Sequence, residues 1–93
     1  MYSDFDGKTV IVTGASQGIG AAIVNAYAAA GAKVVVHYRS GRESANNVVD
    51  EISKNGGSAI ALGASLDEVA SVDKLFFDAS DAFGSVDVLI NNA

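Results

Sequence analysis

The fold of this protein is decided by residues 9–24, which read TVIVTGASQGIGAAIV. A continuous β-branched and apolar run at 9–13 gives way to three glycines and then to apolar residues at helical spacing. A short apolar run of this kind is typical of a strand buried on both faces of a parallel sheet. At the junction, Gly14, Gly18 and Gly20 allow a sharp turn and a close approach of the backbone. The stretch therefore predicts a strand, a glycine turn and a helix.

The remaining sequence continues this alternation of strands and helices. Strands are predicted at 9–13, 33–38, 58–63 and 87–91, and helices at 18–30, 42–55 and 67–83. The pattern βαβαβαβ with short links predicts an α/β fold with a parallel sheet and helices on both faces. We expect the strand order 3-2-1-4, with a reversal between the first and fourth strands. Ligands in open α/β sheets bind at such a reversal, beyond the carboxyl ends of the strands.

Each predicted helix has an apolar face at the spacing expected of a helix packed on a sheet. The apolar positions are Ile19, Ile23, Tyr27 and Ala30 in the first helix, Ala45, Val48, Val49 and Ile52 in the second, and Val69, Val72, Leu75, Phe76, Ala79 and Phe83 in the third. Gly31 and the NGG run at 55–57 are expected to end the first and second helices.

The composition predicts a single domain, residues 1–93, and excludes several classes of protein. The chain is 49% hydrophobic, which is too apolar for a disordered protein, and no apolar run approaches the roughly 20 residues that cross a bilayer. A net charge of −5 argues against nucleic acid as a partner. Cysteine is absent and the N-terminus lacks a basic, apolar leader, so we expect a cytoplasmic protein without a membrane or metal site.

The glycine turn is a candidate phosphate-binding site. Glycine at 18 leaves room for a pyrophosphate against the backbone, and the start of the following helix offers unpaired N–H groups and the positive end of its dipole. The candidate contacts are Gly14, Ser16, Gln17, Gly18, Ile19 and Gly20. The alternative is a tight turn between strand and helix that binds no ligand.

Two motifs together resemble one protein family. TGASQGIG at 13–20 and NNA at 91–93 are similar to the N-terminal half of a short-chain dehydrogenase/reductase, and the resemblance runs from Gly7 to Ala93. It implies a Rossmann-like half-domain that binds a dinucleotide, from an oxidoreductase of the 3-oxoacyl carrier-protein or sugar and polyol type. It also implies that the backbone of Asn91 and Ala93 lines the ribose and nicotinamide side. The Asn91 or Asn92 side chain would brace neighbouring strands, with ordinary strand capping as the alternative.

The end of the second strand bears on the choice of dinucleotide. An acid at this position would bind the ribose 2′-hydroxyl of NAD(H), but the sequence has Tyr38 followed by Arg39. A guanidinium can pair with a 2′-phosphate and stack on adenine, and Ser40 and Arg42 can assist. In the family this substitution implies NADP(H) rather than NAD(H). The alternative is that Tyr38 packs and Arg39 is only solvated.

The residues after the third strand depart from the family pattern. The family commonly has an aspartate there that bonds the adenine amino group, whereas this chain has Ser65 and Leu66, with Asp67 following. Serine accepts a hydrogen bond but carries no charge, so adenine binding is expected to be weaker at this point. His37 lies within a strand and is interpreted as a packing or edge residue rather than a base.

The family's catalytic serine, tyrosine and lysine are not matched in this sequence. Its Tyr-x-x-x-Lys spacing is absent, because Tyr2, Tyr27 and Tyr38 are followed four residues later by Asp6, Gly31 and Arg42. The chain alone is therefore expected to bind NADP(H) without catalysing its oxidation. A complete enzyme could form if the catalytic half came from a separate chain.

The fourth strand, DVLIN at 87–91, is expected to lie at an edge of the sheet. An apolar edge without a charged residue after Asp87 recruits partners, so we expect a homodimer through this strand or by exchange of elements. The alternative to the cofactor-binding interpretation is a non-enzymatic module that folds and dimerises with little or no nucleotide binding.

Overall fold

The computed structural model describes residues 4–92, so Tyr2 and Ala93 lie outside the described residues. The elements follow the predicted order: β1 (Thr9–Val12), α1 (Gly18–Ala29), β2 (Lys33–Tyr38), α2 (Arg42–Lys54), β3 (Ser58–Gly63), α3 (Val69–Phe83) and β4 (Val88–Ile90). Every predicted strand and helix is present, and each end lies within two residues of its predicted position.

The four strands form one parallel sheet of order β3-β2-β1-β4, as the alternation predicted. Ile11 of β1 lies opposite Val35 of β2 on one side and Leu89 of β4 on the other. The chain leaves β1 toward β2 and later returns to pair β4 with the opposite edge of β1. The carboxyl ends of β1 and β4 therefore mark the reversal at which a Rossmann-like fold binds ligands.

Side chains from the central strands alternate between two hydrophobic cores. Val10 and Val12 of β1 join Val34 and Val36 of β2 in the core under α1 and α2. Ile11 and its neighbour in β2 point the other way, into the core under α3. Because successive strand residues face opposite sides, this alternation places helices on both faces of the sheet.

The helix faces match the predicted positions in part. In α2 the predicted residues Ala45, Val48 and Ile52 are buried, as expected. The prediction for the first turn of α1 is wrong: Ile19 is 75% exposed, and the buried residues of α1 are Gly20 and Val24. Its first turn reaches past the end of β1, which stops at residue 12, so Ile19 has no strand beneath it.

The apolar face of α3 also begins later than predicted. Its first residue, Val69, is 78% exposed, whereas Leu75 and Ala79 are buried and Phe76 and Phe83 pack against them. The sequence pattern shows which side of a helix is apolar, but the extent of the sheet decides how much of that side is covered.

Candidate functional site

Three glycines form the turn between β1 and α1, and each has a different structural role. Gly14 and Gly18 both have a φ of +61°, a left-handed conformation that glycine adopts without strain. A Cβ on Gly18 would meet no atom within 4 Å, so the space beside it is open. A Cβ on Gly20 would collide with the carbonyl oxygen of Gly14 and lie 2.7 Å from Nδ2 of Asn92. Gly20 is therefore required by close packing of α1 on the turn.

The N-terminus of α1 is accessible to an anion. Gln17, the N-cap, has extended backbone and makes no side-chain capping hydrogen bond, and the first turn carries no acidic residue. The first amides of any helix lack intrahelical acceptors, and the dipole makes this end positive. The arrangement can bind a phosphate group without a compensating basic side chain.

His37 joins the glycine turn to the loop after β3. The backbone N–H of Gly14 donates to Nδ1 of His37 at 3.0 Å, and Nε2 donates to the carbonyl oxygen of Ala64 at 2.9 Å. The backbone N–H of Ala15 also donates to the carbonyl oxygen of His37, at 2.9 Å. His37 is 2% exposed, which agrees with the packing alternative of the sequence prediction and not with the edge alternative. The sequence analysis missed its hydrogen-bond partners; the available signal was a lone polar residue in an otherwise apolar strand.

The ends of β1 and β4 are tied together by side chains. The N–H of Asn92 donates to the hydroxyl oxygen of Thr13 at 2.9 Å, and that hydroxyl donates to Oδ1 of Asn91 at 3.2 Å. Nδ2 of Asn92 donates to the carbonyl oxygen of Gly14 at 3.2 Å. Both asparagine side chains thus bond to the segment that leaves β1, and they hold β4 against the glycine turn.

Two neighbouring cavities open at this end of the sheet and share Arg39. One, of about 260 Å³, is lined by Gly14, Ser16, Gln17, Arg39, Ser40, Gly41 and Ser44. The other, of about 230 Å³, is lined by His37, Arg39, Leu66 and Asp67. The structure therefore brings three of the six predicted phosphate contacts, Gly14, Ser16 and Gln17, together with Arg39 and Ser40, and the second cavity places Leu66 beside Arg39.

Several predicted site residues stand outside the lining of these two cavities. They are Gly18, Ile19, Gly20, Tyr38, Arg42, Ser65 and Asn91. Tyr38 is half-buried, and its ring packs so closely on β3 that a Cβ on Gly63 would lie 2.9 Å from ring atoms. Arg42 is exposed at the first residue of α2. Tyr38 thus packs against the sheet, whereas Arg39 provides the charge beside both cavities.

Arg39 is paired with a carboxylate across the second cavity. Nη2 of Arg39 lies 3.2 Å from Oδ2 of Asp67, and the two side chains are 73% and 75% exposed. An ion pair this exposed contributes little to stability, about 0–1 kcal/mol, so the guanidinium can exchange this partner for another anion.

Within residues 4–92 no group of three acidic or histidine side chains could hold a metal ion. Over the same range, no helix has the length and apolar character needed to cross a membrane.

Comparison with known proteins identifies the family. The family profile described as short chain dehydrogenase matches residues 8–93. The chain belongs to the short-chain dehydrogenase family. It is 46% identical, over its full length, to 3beta-hydroxysteroid dehydrogenase 1 of Eggerthella lenta, and covers 36% of that protein. It is also 50% identical, over 98% of its length, to a probable tetrahydroxynaphthalene reductase of Zymoseptoria tritici, of which it covers 34%.

Solved structures of short-chain dehydrogenases share this fold. A short chain dehydrogenase from Mycobacterium avium superposes on 96% of the chain with a TM-score of 0.89 and 44% identity, over 35% of its own length. The angucycline C-6 ketoreductase LanV with bound NADP matches 100% of the chain with a TM-score of 0.87 and 40% identity, over 38% of its own length. The chain thus spans about a third of the length of the relatives it matches.

Proposed function

We propose that this chain is the NADP(H)-binding N-terminal part of a short-chain reductase. The observation that carries the proposal is the position of Arg39 between two cavities, one of which includes the glycine turn. A dinucleotide needs an anion site for its pyrophosphate next to a site for its adenosine end. Both are available here, on either side of one guanidinium.

The pyrophosphate is assigned to the glycine turn and the start of α1. The open space at Gly18 admits a ligand close to the backbone, and the first amides of α1 donate to phosphate oxygens. The hydroxyl of Ser16 and the amide of Gln17 line the same cavity and supply further donors. Ile19, exposed at the tip of α1, contributes an apolar contact beside the ligand.

The 2′-phosphate of NADP(H) is assigned to Arg39 and Ser40. Arg39 carries a planar fork of donors that suits a phosphate, and Ser40 lines the same cavity. Arg42, at the start of α2, adds a second positive charge nearby in sequence. The stretch from Tyr38 to Arg42 contains no acidic residue of the kind that would select NAD(H). A solved relative, the ketoreductase LanV, has NADP bound, which supports this assignment.

The rest of the cofactor is assigned to the loops after β3 and β4. In this assignment Leu66 and Ser65 would contact adenine, and the backbone of Asn91 would border the ribose and nicotinamide; Ala93, assigned to the same side by the sequence, lies outside the described residues. When bound, NADP(H) supplies a hydride for reduction of a carbonyl. The chain's own residues bind and orient it, and we expect the catalytic serine, tyrosine and lysine of the family to come from outside these 93 residues.

Calorimetric titration with NADP+ and NAD+ tests the proposal. We expect NADP+ to bind more tightly than NAD+. Arg39→Ala should weaken NADP+ on the order of tenfold, because one charge-assisted contact is lost, and should change NAD+ binding little. Lys54→Ala is the matched control, because it removes a positive charge from the opposite end of α2. Absence of heat with millimolar NADP+, or an equal loss for both nucleotides, would contradict the proposal.

A second candidate function is a self-associating module without nucleotide chemistry. Leu89 of β4 is 48% exposed, and β4 pairs with β1 alone among the described strands. An open apolar edge can pair with a second copy of the chain, antiparallel across a twofold axis. Light scattering at micromolar concentration separates the cases: a folded monomer would contradict self-association, whereas a dimer that gives no heat with NADP+ would favour this second function.

A further inference from the structure

The strongest unexplained feature outside the assigned cofactor contacts is the environment of His37. Its side chain is 2% exposed, and both ring nitrogens are hydrogen-bonded to backbone groups. One partner, Gly14, begins the turn that borders the pyrophosphate site. The other, Ala64, immediately precedes the loop that borders the adenine site. One buried ring thus connects the two backbone segments that must lie a fixed distance apart if a dinucleotide is to bridge them.

The hydrogen bonds determine the state of the ring. A backbone N–H can only donate, so Nδ1 must accept from Gly14 and cannot carry a proton. A carbonyl oxygen can only accept, so Nε2 must carry the proton that it donates to Ala64. The geometry therefore requires the neutral imidazole with hydrogen on Nε2. A doubly protonated ring would present two donors and lose the bond from Gly14.

The bond from Gly14 fixes the N–H side of a residue whose carbonyl oxygen is held by Asn92. Gly14 adopts its left-handed φ of +61° without a Cβ to limit it, so the residue has many other conformations available. His37 accepts the N–H of Gly14 at Nδ1 and the N–H of Ala15 at its backbone carbonyl oxygen. It therefore holds two consecutive peptide groups of the turn. The next residues along the chain, Ser16 and Gln17, line the phosphate-side cavity.

We propose that His37 is a positioning residue for the cofactor: its neutral imidazole holds the glycine turn and the loop after β3 at the separation that a dinucleotide requires. This inference rests on the proposed function for its ligand, but the contact itself can be tested without one. His37 borders the cavity that also contains Leu66, but both of its ring nitrogens are already bonded to Gly14 and Ala64. Its polar effect on affinity therefore passes through those two backbone groups.

Two amide substitutions of His37 test its hydrogen bonds to Gly14 and Ala64 one at a time. The side-chain oxygen of asparagine lies about as far from the backbone as Nδ1 of histidine, so His37→Asn keeps an acceptor for Gly14. Glutamine places its amide nitrogen near the position of Nε2, so His37→Gln keeps the donor to Ala64 and loses that acceptor. Val35→Ala is the control, because Val35 is buried two residues earlier on the same face of β2 and bonds to neither loop through its side chain.

The test measures NADP+ affinity by calorimetry and unfolding by denaturant for each variant. We expect His37→Gln to weaken NADP+ about tenfold and His37→Asn to weaken it less than about threefold, in line with the loss of one hydrogen bond at a part-buried group. Val35→Ala should lower stability and leave the affinity unchanged. Equal losses of affinity in all three variants, or no loss in His37→Gln, would overturn the inference.

Nuclear magnetic resonance separates failure of this inference from failure of the proposed function. Nitrogen shifts of the His37 ring in the wild-type chain should report hydrogen on Nε2, and the Gly14 amide should be protected from exchange in wild type and His37→Asn but not in His37→Gln. Hydrogen on Nδ1, or an unprotected Gly14 amide in wild type, would overturn the positioning role. A wild-type chain that shows these signatures but binds no NADP+ would contradict the proposed function and leave His37 as a brace of the turn.

Discussion

The two faces of the sheet are packed to very different degrees. The core under α1 and α2 contains ten buried residues within the described chain, whereas the core under α3 contains four. On the first face, Val24 of α1 and Ala45 of α2 are fully buried against the strands. On the other face, α3 buries Leu75 and Ala79, and Leu89 of β4, which lies beside Ile11, remains half-exposed.

The difference shows which face of the sheet is covered by the chain's own helices. Helices α1 and α2 cover β1, β2 and β3 with apolar side chains that exclude water, and burial of this kind is the main source of folding stability. Helix α3 covers the middle of the sheet but leaves β4 open. We therefore expect substitutions under α1 and α2 to change stability, and substitutions on the exposed part of the α3 face to change association.

The largest effect should come from emptying a position in the well-packed core. Ile52→Ala is expected to lower the free energy of unfolding by about 3–4 kcal/mol, because Ile52 is 2% exposed and belongs to the larger of the two cores. Leu75→Ala removes the same number of carbon atoms under α3 and should cost about 2 kcal/mol, since the half-exposed side chains there can move inward. Denaturant unfolding of both variants measures the difference. Equal costs would mean that the two faces are packed equally well.

An intermediate effect is expected where α1 touches the glycine turn. Gly20→Ala should destabilise the chain by about 2–3 kcal/mol, because the new methyl group would collide with the carbonyl oxygen of Gly14 and push α1 away. Gly18→Ala is the matched control. Its methyl group would meet no atom within 4 Å, so only the cost of the left-handed φ, about 1 kcal/mol, remains.

Thermal or denaturant unfolding of this pair measures how tightly α1 is packed at its first turn. A larger loss for Gly18→Ala than for Gly20→Ala would show that backbone strain, rather than the close approach of α1 to the turn, dominates at this end of the sheet.

The smallest effect on stability is expected on the outer side of α3, opposite the buried residues Leu75 and Ala79. Phe77→Ser should change the free energy of unfolding by less than about 0.5 kcal/mol, because the side chain is 70% exposed. The same substitution should reduce self-association in light scattering, since it removes an exposed aromatic group from the α3 face. Ala22→Ser, at an exposed position of α1, is the control and should change neither quantity. A marked loss of stability in Phe77→Ser would show that this face is packed in solution.

Local patterns in the sequence were sufficient for the order of elements and much of the candidate site. Strand 33–38 was predicted to the residue because a buried parallel strand is a nearly continuous apolar run. Strand 58–63 was also predicted to the residue, although it lies at the edge of the sheet and none of its residues is fully buried. The spacing of Gly14, Gly18 and Gly20 likewise indicated a turn followed by a close helix. Each of these signals lies within a few residues of the feature that it predicts.

The errors and omissions concern partners that are distant in the chain. Ile19 and Val69 were assigned to buried faces because helical periodicity does not show where the sheet ends. The pairing of Arg39 with Asp67 was missed because it joins loops that follow different strands. No local pattern reports such a contact.

The sequence by itself determined the elements, their parallel arrangement and the family, because apolar periodicity and glycine spacing act through neighbours in the chain. Tertiary structure alone decided that His37 holds Gly14 and Ala64, that Asn92 bonds to Gly14 and that one face of the sheet stays partly uncovered. The hydrogen bonds arise because the parallel order β3-β2-β1-β4 brings the carboxyl ends of all four strands to one end of the sheet. Residues far apart in sequence become hydrogen-bonding partners only there.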